Sequence, residues 1–348
     1  MKWDLFCTAS EPTPTLLAYI AHHLQQGANH IWMFMETPDP DLAEIVADLD
    51  RVTLIPAGRA DWPELHGREF GGPLTSRQIA NGRIVKHLSQ ADWIGHLDVD
   101  EFAVHIPSVM AFVAKQPDHI YCVHMHNAER VELRGSRPKH IYSGWLRTPF
   151  INVEHPAVQA IHGEWSGFLR RGVAGYAIGK CFFRVKSDFD YGIHSLQNKE
   201  PGSAKPHIAN YQAVGVVHFD GFTAKHWLDK MTRKSDKGRT NHPAVRERQN
   251  QVRQLWEIGD DQKKRSELFR RVKTLSLWQM LRLRRWRRVH RMVCDVPAAL
   301  KAQFPDLTVD LSPAAIDKAL ADHIQMRAKT EAEFEERKRQ KGRTEAAE

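Results

Sequence analysis

The run Trp93-Ile94-Gly95-His96-Leu97-Asp98-Val99-Asp100-Glu101-Phe102 carries an apolar, strand-like segment straight into three carboxylates within four residues. Carboxylates repel one another and resist burial, so such a cluster at a strand end calls for a compensating cation. Asp98 and Asp100 are two apart and share a face if the strand continues through them. Oxygen ligands of this kind suit a hard divalent ion, Mg²⁺ or Mn²⁺. A solvated acidic turn after a strand would look the same in isolation, so the surroundings decide between the two readings.

Working outward, strand and helix patterns alternate through the first hundred residues. Trp3 to Cys7 is a short apolar strand, and Thr13-Pro14 then supplies an N-cap and a proline at the first helical position. Leu16, Leu17, Ile20, Ala21 and Leu24 follow at helical spacing, and Gly27 closes the helix. Strands are expected at His30 to Met35, Val52 to Ile55 and Trp93 to Leu97, with helices at Leu42 to Leu49 and Ser76 to Ser89. This rhythm predicts an α/β fold with a mostly parallel central sheet flanked by helices. Ligands of open parallel sheets bind outside the carboxyl ends of the strands. Asp98 to Glu101, Thr8 to Glu11 and Glu36 to Asp41 are all placed at that edge, which favours the metal-site reading of the acidic cluster.

A chain of 348 residues is long enough for one large domain with an appendage or for two domains. No apolar run approaches the ~18 residues that span a bilayer, and the N-terminus has no secretory core, since Asp4 interrupts it. Cys7, Cys122, Cys181 and Cys294 form no Cys-x-x-Cys, which argues against a zinc ribbon and fits a reducing cytoplasm. The net charge of +8 is a local matter. Lys263 to Arg291 holds twelve Lys/Arg and one acid, Glu267, so everything outside it is net acidic.

With these motifs in order, the chain resembles the nucleotide-sugar glycosyltransferases of the GT-A fold, in particular the family 2-like and family 92-like group. Its metal motif reads Trp-hydrophobic-x-x-Leu-Asp-x-Asp-Glu-Phe. Glu11 followed by Leu17 to His23 and Gly27 to Ile31 resembles the family's opening. Gln78, Asn81 and Gly82 resemble its polar helix, Gly179 to Arg184 a late Gly-Lys-x-x-hydrophobic-Arg strand, and Val217-His218-Phe219-Asp220 the element that closes the domain, with Lys230 behind it. The resemblance covers roughly residues 1 to 235, leaving 236 to 348 as a helical, basic C-terminal region with a charged tail.

The resemblance implies a metal-dependent enzyme that moves a sugar from a nucleoside-diphosphate donor to a glycan or lipid-linked acceptor, with inversion as the working expectation. A divalent ion, Mn²⁺ or Mg²⁺, would neutralise the leaving diphosphate. Asp100 would ligate it directly and Asp98 would reach it through water or hold the ribose. His218 would add a ligand, though a satisfied core histidine reads equally well. Lys180 and Arg184 would face the diphosphate, and Thr8, Glu11 and Asp39 the nucleoside side. Glu101 either orients a ligand or lies in the turn that follows. For the base that deprotonates the acceptor hydroxyl, Asp220, Glu164 and Glu154 are candidates by location, with His194 as another. The family's Glu-Asp pair before a late helix is missing, so the base and the stereochemical outcome stay open. Asn127 to Ser166, with Trp145, His155, His162 and Trp165, is the expected acceptor side.

Twenty histidines invite a zinc-enzyme reading, but neither His22-His23 nor His124-Met125-His126 has a third ligand at diagnostic spacing. In the C-terminal region, Lys263 to Val293 interleaves Leu and Trp with Arg. That pattern suits an amphipathic helix lying on an anionic membrane, so a peripheral position on the cytoplasmic face is expected. Packing of the same helix on the acidic domain is the plain alternative. Nucleic acid is a weaker partner, since RNA binding leaves the acidic cluster unexplained. A non-catalytic RNA- or membrane-binding protein with an α/β domain is the competing function. Arg327 to Glu348 is charged with almost no large apolar residue, which predicts a frayed or extended helix.

Overall fold

A computed structural model describes residues 1–197, 206–235 and 245–345. The expected start of the second region, at residue 236 or near Asn241, lies outside the described residues.

The sheet is built on β1 (Trp3–Ala9), whose seven residues are all buried. A strand covered on both faces needs apolar character along its whole length, as Trp3 to Cys7 has. On one side β1 pairs in parallel with β2 (His30–Met35), which pairs in parallel with β3 (Val52–Pro56). On its other side β1 pairs in parallel with β4 (Trp93–His96). The β1/β4 boundary is therefore the topological switch point of the sheet, where the open crevice lies. Beyond β4 the order continues through β8 (Lys180–Arg184), β6 (Ile120–Leu133), β7 (Trp145–Arg147) and β13 (Val289–Arg291). β8 is antiparallel to both β4 and β6. β11 (His207–His218) runs parallel to β6 and antiparallel to the short β5 (Glu101–Ala103).

Helices cover both faces. α1 (Thr13–Gln25) packs Leu16, Leu17, Ile20 and Leu24 into the larger apolar cluster on one face. α4 (Leu74–Leu88) covers the other face, where Phe6, Val85, Ile94, Phe183 and Tyr191 meet. Gly82 lets α4 approach, because a Cβ there would sit 2.7 Å from Tyr191 and 2.8 Å from Phe6. The expected elements form, with shifted ends. α1 is preceded by Pro12 rather than capped by Thr13, and α2 (Pro40–Ile45) starts early because Asp39 caps it.

The C-terminal region is woven into this body. α9 (Gln262–Lys273), β12 (Thr274–Leu275), α10 (Leu277–Arg285) and β13 replace the single long amphipathic helix expected over Lys263 to Val293. The break is local: Ser276 and Gln279 form a capping box that starts α10 afresh. β12 pairs with β6 and β13 with β7, while α11 (Val296–Gln303) packs on α1 through Val296, Ala299 and Leu300. The last helix, α12 (Pro313–Glu345), is continuous. Among the described residues no helix is long and apolar enough to cross a membrane. All four cysteines are buried and unpaired.

Candidate active site

The acidic run does not continue as a strand. β4 stops at His96, and the Glu101 N–H donates to the Asp98 carbonyl at 2.8 Å, closing a turn. The turn sends the three carboxylates to different partners. The register of β11 puts His218 opposite Glu101, and the Phe219 N–H donates to the Asp100 carbonyl at 2.7 Å. Antiparallel β8 begins at the same edge, so Lys180 arrives beneath the turn.

Lys180 is fully buried and pairs with Glu101 at 2.8 Å and Asp98 at 3.2 Å. Asp98 also accepts from Gln78 Nε2 at 2.6 Å. Burial alone would raise the Asp98 carboxyl, but Lys180 overrides it and holds the pKa at about 2. Glu101 accepts the Asp98 N–H at 2.8 Å, and burial pushes its carboxyl up despite Lys180. Glu101 therefore clamps the turn from below.

Asp100 faces the other way. Its Oδ2 accepts from Lys230 Nζ, on α7 (Ala224–Ser235), and lies 3.5 Å from His218 Nε2. Burial opposes ionisation of Asp100, yet Lys230 and His218 hold its pKa well below the usual carboxylate range. Burial likewise disfavours charge on His218, but Asp100 raises its pKa overall. Asp220, two residues on, meets Arg248 at 3.0 Å and Lys273 at 3.5 Å. One ligand atom each from Asp100, His218 and Asp220 fall within 4.8 Å of one another, and all three residues are buried. The two carboxylates suit Mn²⁺ or Mg²⁺, and the imidazole favours the transition-metal ion of the two. His218 Nδ1 is buried without a hydrogen-bond partner in this arrangement.

Behind this group lies Glu129 of β6, fully buried. It accepts from Lys273 at 2.8 Å, Arg147 at 3.0 Å and the N–H groups of Ala174 and Gly175 at 2.8 and 2.7 Å. Gly175 is required by proximity, since a Cβ there would stand 2.8 Å from the His218 ring. Asp98, Asp100, Glu101, Glu129 and Asp220 are thus matched by Lys180, Lys230, Lys273, Arg147 and Arg248. The site is charge-balanced by its own side chains, with Lys230 on the carboxylate that a divalent ion would use.

The nucleoside-side candidates gather on the same edge. The Thr8 hydroxyl accepts from Asn81 at 2.8 Å. Glu11 accepts the Ser10 N–H at 2.8 Å, and burial raises its carboxyl to about 7 against the pull of that N–H and of Lys230. Asp39 caps α2 with one oxygen and accepts from the Thr13 hydroxyl at 2.8 Å with the other.

Other expected residues are not brought together. Arg184 ends β8 opposite Trp93, at the far end of β4 from Asp98, because the strands are antiparallel. There it stacks on Trp93 and binds the carbonyls of Gln116, Pro117 and Ile120. Glu154 and Glu164 are exposed, and among the described residues neither has a hydrogen bond or ion pair to the cluster. Asp220 is in the cluster; burial raises its carboxyl, but Arg248 at 3.0 Å and Lys273 at 3.5 Å hold it below the usual carboxylate range. Glu129, Arg248 and Lys273 were not singled out from the sequence. Glu129 left no readable sign, since Asn127-Ala128-Glu129-Arg130-Val131 is mostly polar in sequence although the fold buries all of it; Lys273 looks like eleven other cations in its segment.

No protein-family model matches the sequence, and no curated protein does. Solved structures to which the chain is similar include HddC from Yersinia pseudotuberculosis, 10% identical with a TM-score of 0.36, covering 63% of this chain and 93% of that one. Glucosyl-3-phosphoglycerate synthase from Mycobacterium tuberculosis, solved with Mn²⁺, uridine-diphosphate-glucose and phosphoglyceric acid, is 15% identical with a TM-score of 0.29. That likeness covers 53% of this chain and 57% of the synthase. S. aureus TarS 1-349 is 10% identical with a TM-score of 0.31, covering 78% and 81%. None of these likenesses decides the chemistry of the site.

Proposed function

We propose that this chain is a divalent-metal-dependent glycosyltransferase that moves a sugar from a nucleoside-diphosphate donor to a glycan or lipid-linked acceptor. The observation that carries the reading is the Asp100–His218–Asp220 group at the switch point of the sheet, beside the loops that follow β1 and β2. Asp100, His218 and Asp220 would hold Mn²⁺ or Mg²⁺, which when bound offsets charge on the leaving diphosphate. Asp98, kept ionised by Lys180 and oriented by Gln78, accepts from a ribose hydroxyl or a metal-bound water. Lys180 acts through Asp98 and Glu101 as a positioning residue, because it is too deeply buried to reach a diphosphate. Lys230 is the cation free to follow the diphosphate once a metal takes Asp100. Thr8, Glu11 and Asp39 shape the nucleoside side.

The test is thermal stability with Mn²⁺ and a panel of nucleoside diphosphates. At least one pair raises the melting temperature, and Asp100→Ala abolishes the rise. No shift with any pair sinks the reading.

Peripheral membrane contact belongs to the same proposal. α10 exposes Leu277, Trp278 and Leu281 together with Arg282, Arg284 and Arg285, and Trp286 is exposed just beyond its end. The Arg282 guanidinium lies over the Trp278 ring at 4.1 Å. Exposed aromatic and aliphatic side chains among arginines suit an anionic bilayer surface. Binding to vesicles containing phosphatidylserine, lost when Arg282, Arg284, Arg285, Arg287 and Arg288 become Gln, is the expected result. Absent or unchanged binding removes this part.

A further inference from the structure

Helix α12 begins well before the charged tail and crosses the carboxyl edge of the sheet. Near its start, Asp317 accepts from the Thr223 hydroxyl, and its carbonyl accepts from Lys225 Nζ at 3.2 Å. Further on, buried His323 places Nε2 3.4 Å from Ser10 Oγ, in the loop after β1. Further still, Glu331 and Glu335 pair with Arg59, in the loop after β3, at 2.9 and 2.7 Å. His323, Arg327, Glu331 and Glu335 are successive fourth residues and form one stripe on the helix. With His323 against the β1 loop and Glu331 against the β3 loop, Arg327 lies between them on the helix, where the charge of Glu36 in the β2 loop acts on it.

The charges around Arg327 leave it in surplus. Arg233, Asp229, Glu11 and Glu36 act on it most strongly among charged groups, and His323 lies one turn away on the same helix. Glu36 is already matched by Arg77 at 2.5 and 3.2 Å, and Asp229 by Arg233 at 3.0 Å. Glu11 accepts the Ser10 N–H and makes no ion pair with Arg327 among the described residues. Arg327 forms no ion pair among the described residues, and burial together with Arg233 lowers its pKa. A half-buried guanidinium with no ion pair among the described residues, beside a second one and near Glu11 and Glu36 of the loops after β1 and β2, is suited to take a polyanion in two-pronged hydrogen bonds.

We propose that α12 is the outer wall of the donor site and that Arg327, with Arg233 of α7, binds the diphosphate of the donor. The proposal rests on the glycosyltransferase reading and adds to it a binding residue from the far end of the chain. It is tested by isothermal titration of the full chain with Mn²⁺ and uridine, guanosine, cytidine or adenosine diphosphate, each beside its monophosphate and free nucleoside. Arg327→Gln weakens the responding diphosphate at least tenfold, the monophosphate less, and the nucleoside not at all. Arg327→Lys retains part of the affinity, and Arg59→Ala, which frees the far anchor of α12, weakens diphosphate binding several-fold. A folded Arg327→Gln protein that binds diphosphate like the wild type overturns the proposal while leaving the donor reading standing. So does tighter binding in Arg59→Ala, which would make α12 an occluding strap. A wild type that binds no nucleoside diphosphate defeats the donor reading, and this proposal with it.

Discussion

Lys230→Met separates two contributions that the charge-balanced site combines. Lys230 sits on Asp100 Oδ2 with its side chain 19% exposed and that of Asp100 7% exposed. Breaking a buried ion pair by removing one partner costs about 3–5 kcal/mol. Here His218, 3.5 Å from the same oxygen, stays in place and takes up part of the charge, so about 2 kcal/mol is the expected loss in metal-free protein. The same interaction must be given up whenever a divalent ion takes Asp100. Its removal should therefore reappear as gained metal affinity, about 30-fold for 2 kcal/mol. With a nucleoside diphosphate present the sign reverses, because Lys230 has a new anion to bind and the variant lacks it. Urea unfolding in EDTA measures the first effect, and calorimetric titration with MnCl₂, with and without nucleotide, measures the other two. A folded variant as stable as wild type in EDTA that binds Mn²⁺ alone no tighter would refute the reasoning.

Gly175→Ala should push the His218 ring from its place. Overpacking costs about 1–3 kcal/mol, and Mn²⁺-plus-nucleotide affinity should fall more than tenfold; a fully active variant would contradict the contact. Arg184→Ala should cost stability through lost stacking on Trp93 and lost carbonyl bonds, yet leave nucleotide affinity unchanged by titration. Acid should destabilise the protein through buried neutral histidines. Burial lowers His22 to about 4 and His162 to about 3. The unfolded chain then takes protons first as pH falls below about 6.5. The stability these groups contribute is whole above that pH and declines toward about 3, by about 1.4 kcal/mol per pH unit for each histidine. Urea midpoints at pH 7 and 5, with His22→Gln showing a shallower decline, check this. Glu11 has the opposite sense. Its raised carboxyl contributes stability below the unfolded value near 4.5 that is lost as pH rises through about 7, so Glu11→Gln should flatten that part of the profile.

Much of the fold was legible because its evidence is local. Short apolar runs mark β1 to β4 and a period of 3.6 marks the helices between them, because a strand such as β1 that is buried on both faces needs apolar character along its length. The place of the acidic cluster follows from the same rhythm, since carboxyl ends of parallel strands share one edge. The direction of β8 was not legible. Lys180 and Arg184 are four residues apart in a short strand, and only the antiparallel pairing with β4 sends one to the site and the other to the opposite end.

The sequence by itself determined that a parallel α/β sheet would carry Asp98, Asp100, Glu11 and Thr8 to one edge, because side-chain periodicity and strand polarity are properties of adjacent residues. Only the tertiary structure decided which cation meets which carboxylate. Lys230, Arg248 and Lys273 come from later helices, 130 residues from Asp100 in the case of Lys230. The pairing of one charge among many alike depends on packing across the whole chain. The same holds for α12, whose charged residues look like a free tail until the three loops they span are in place.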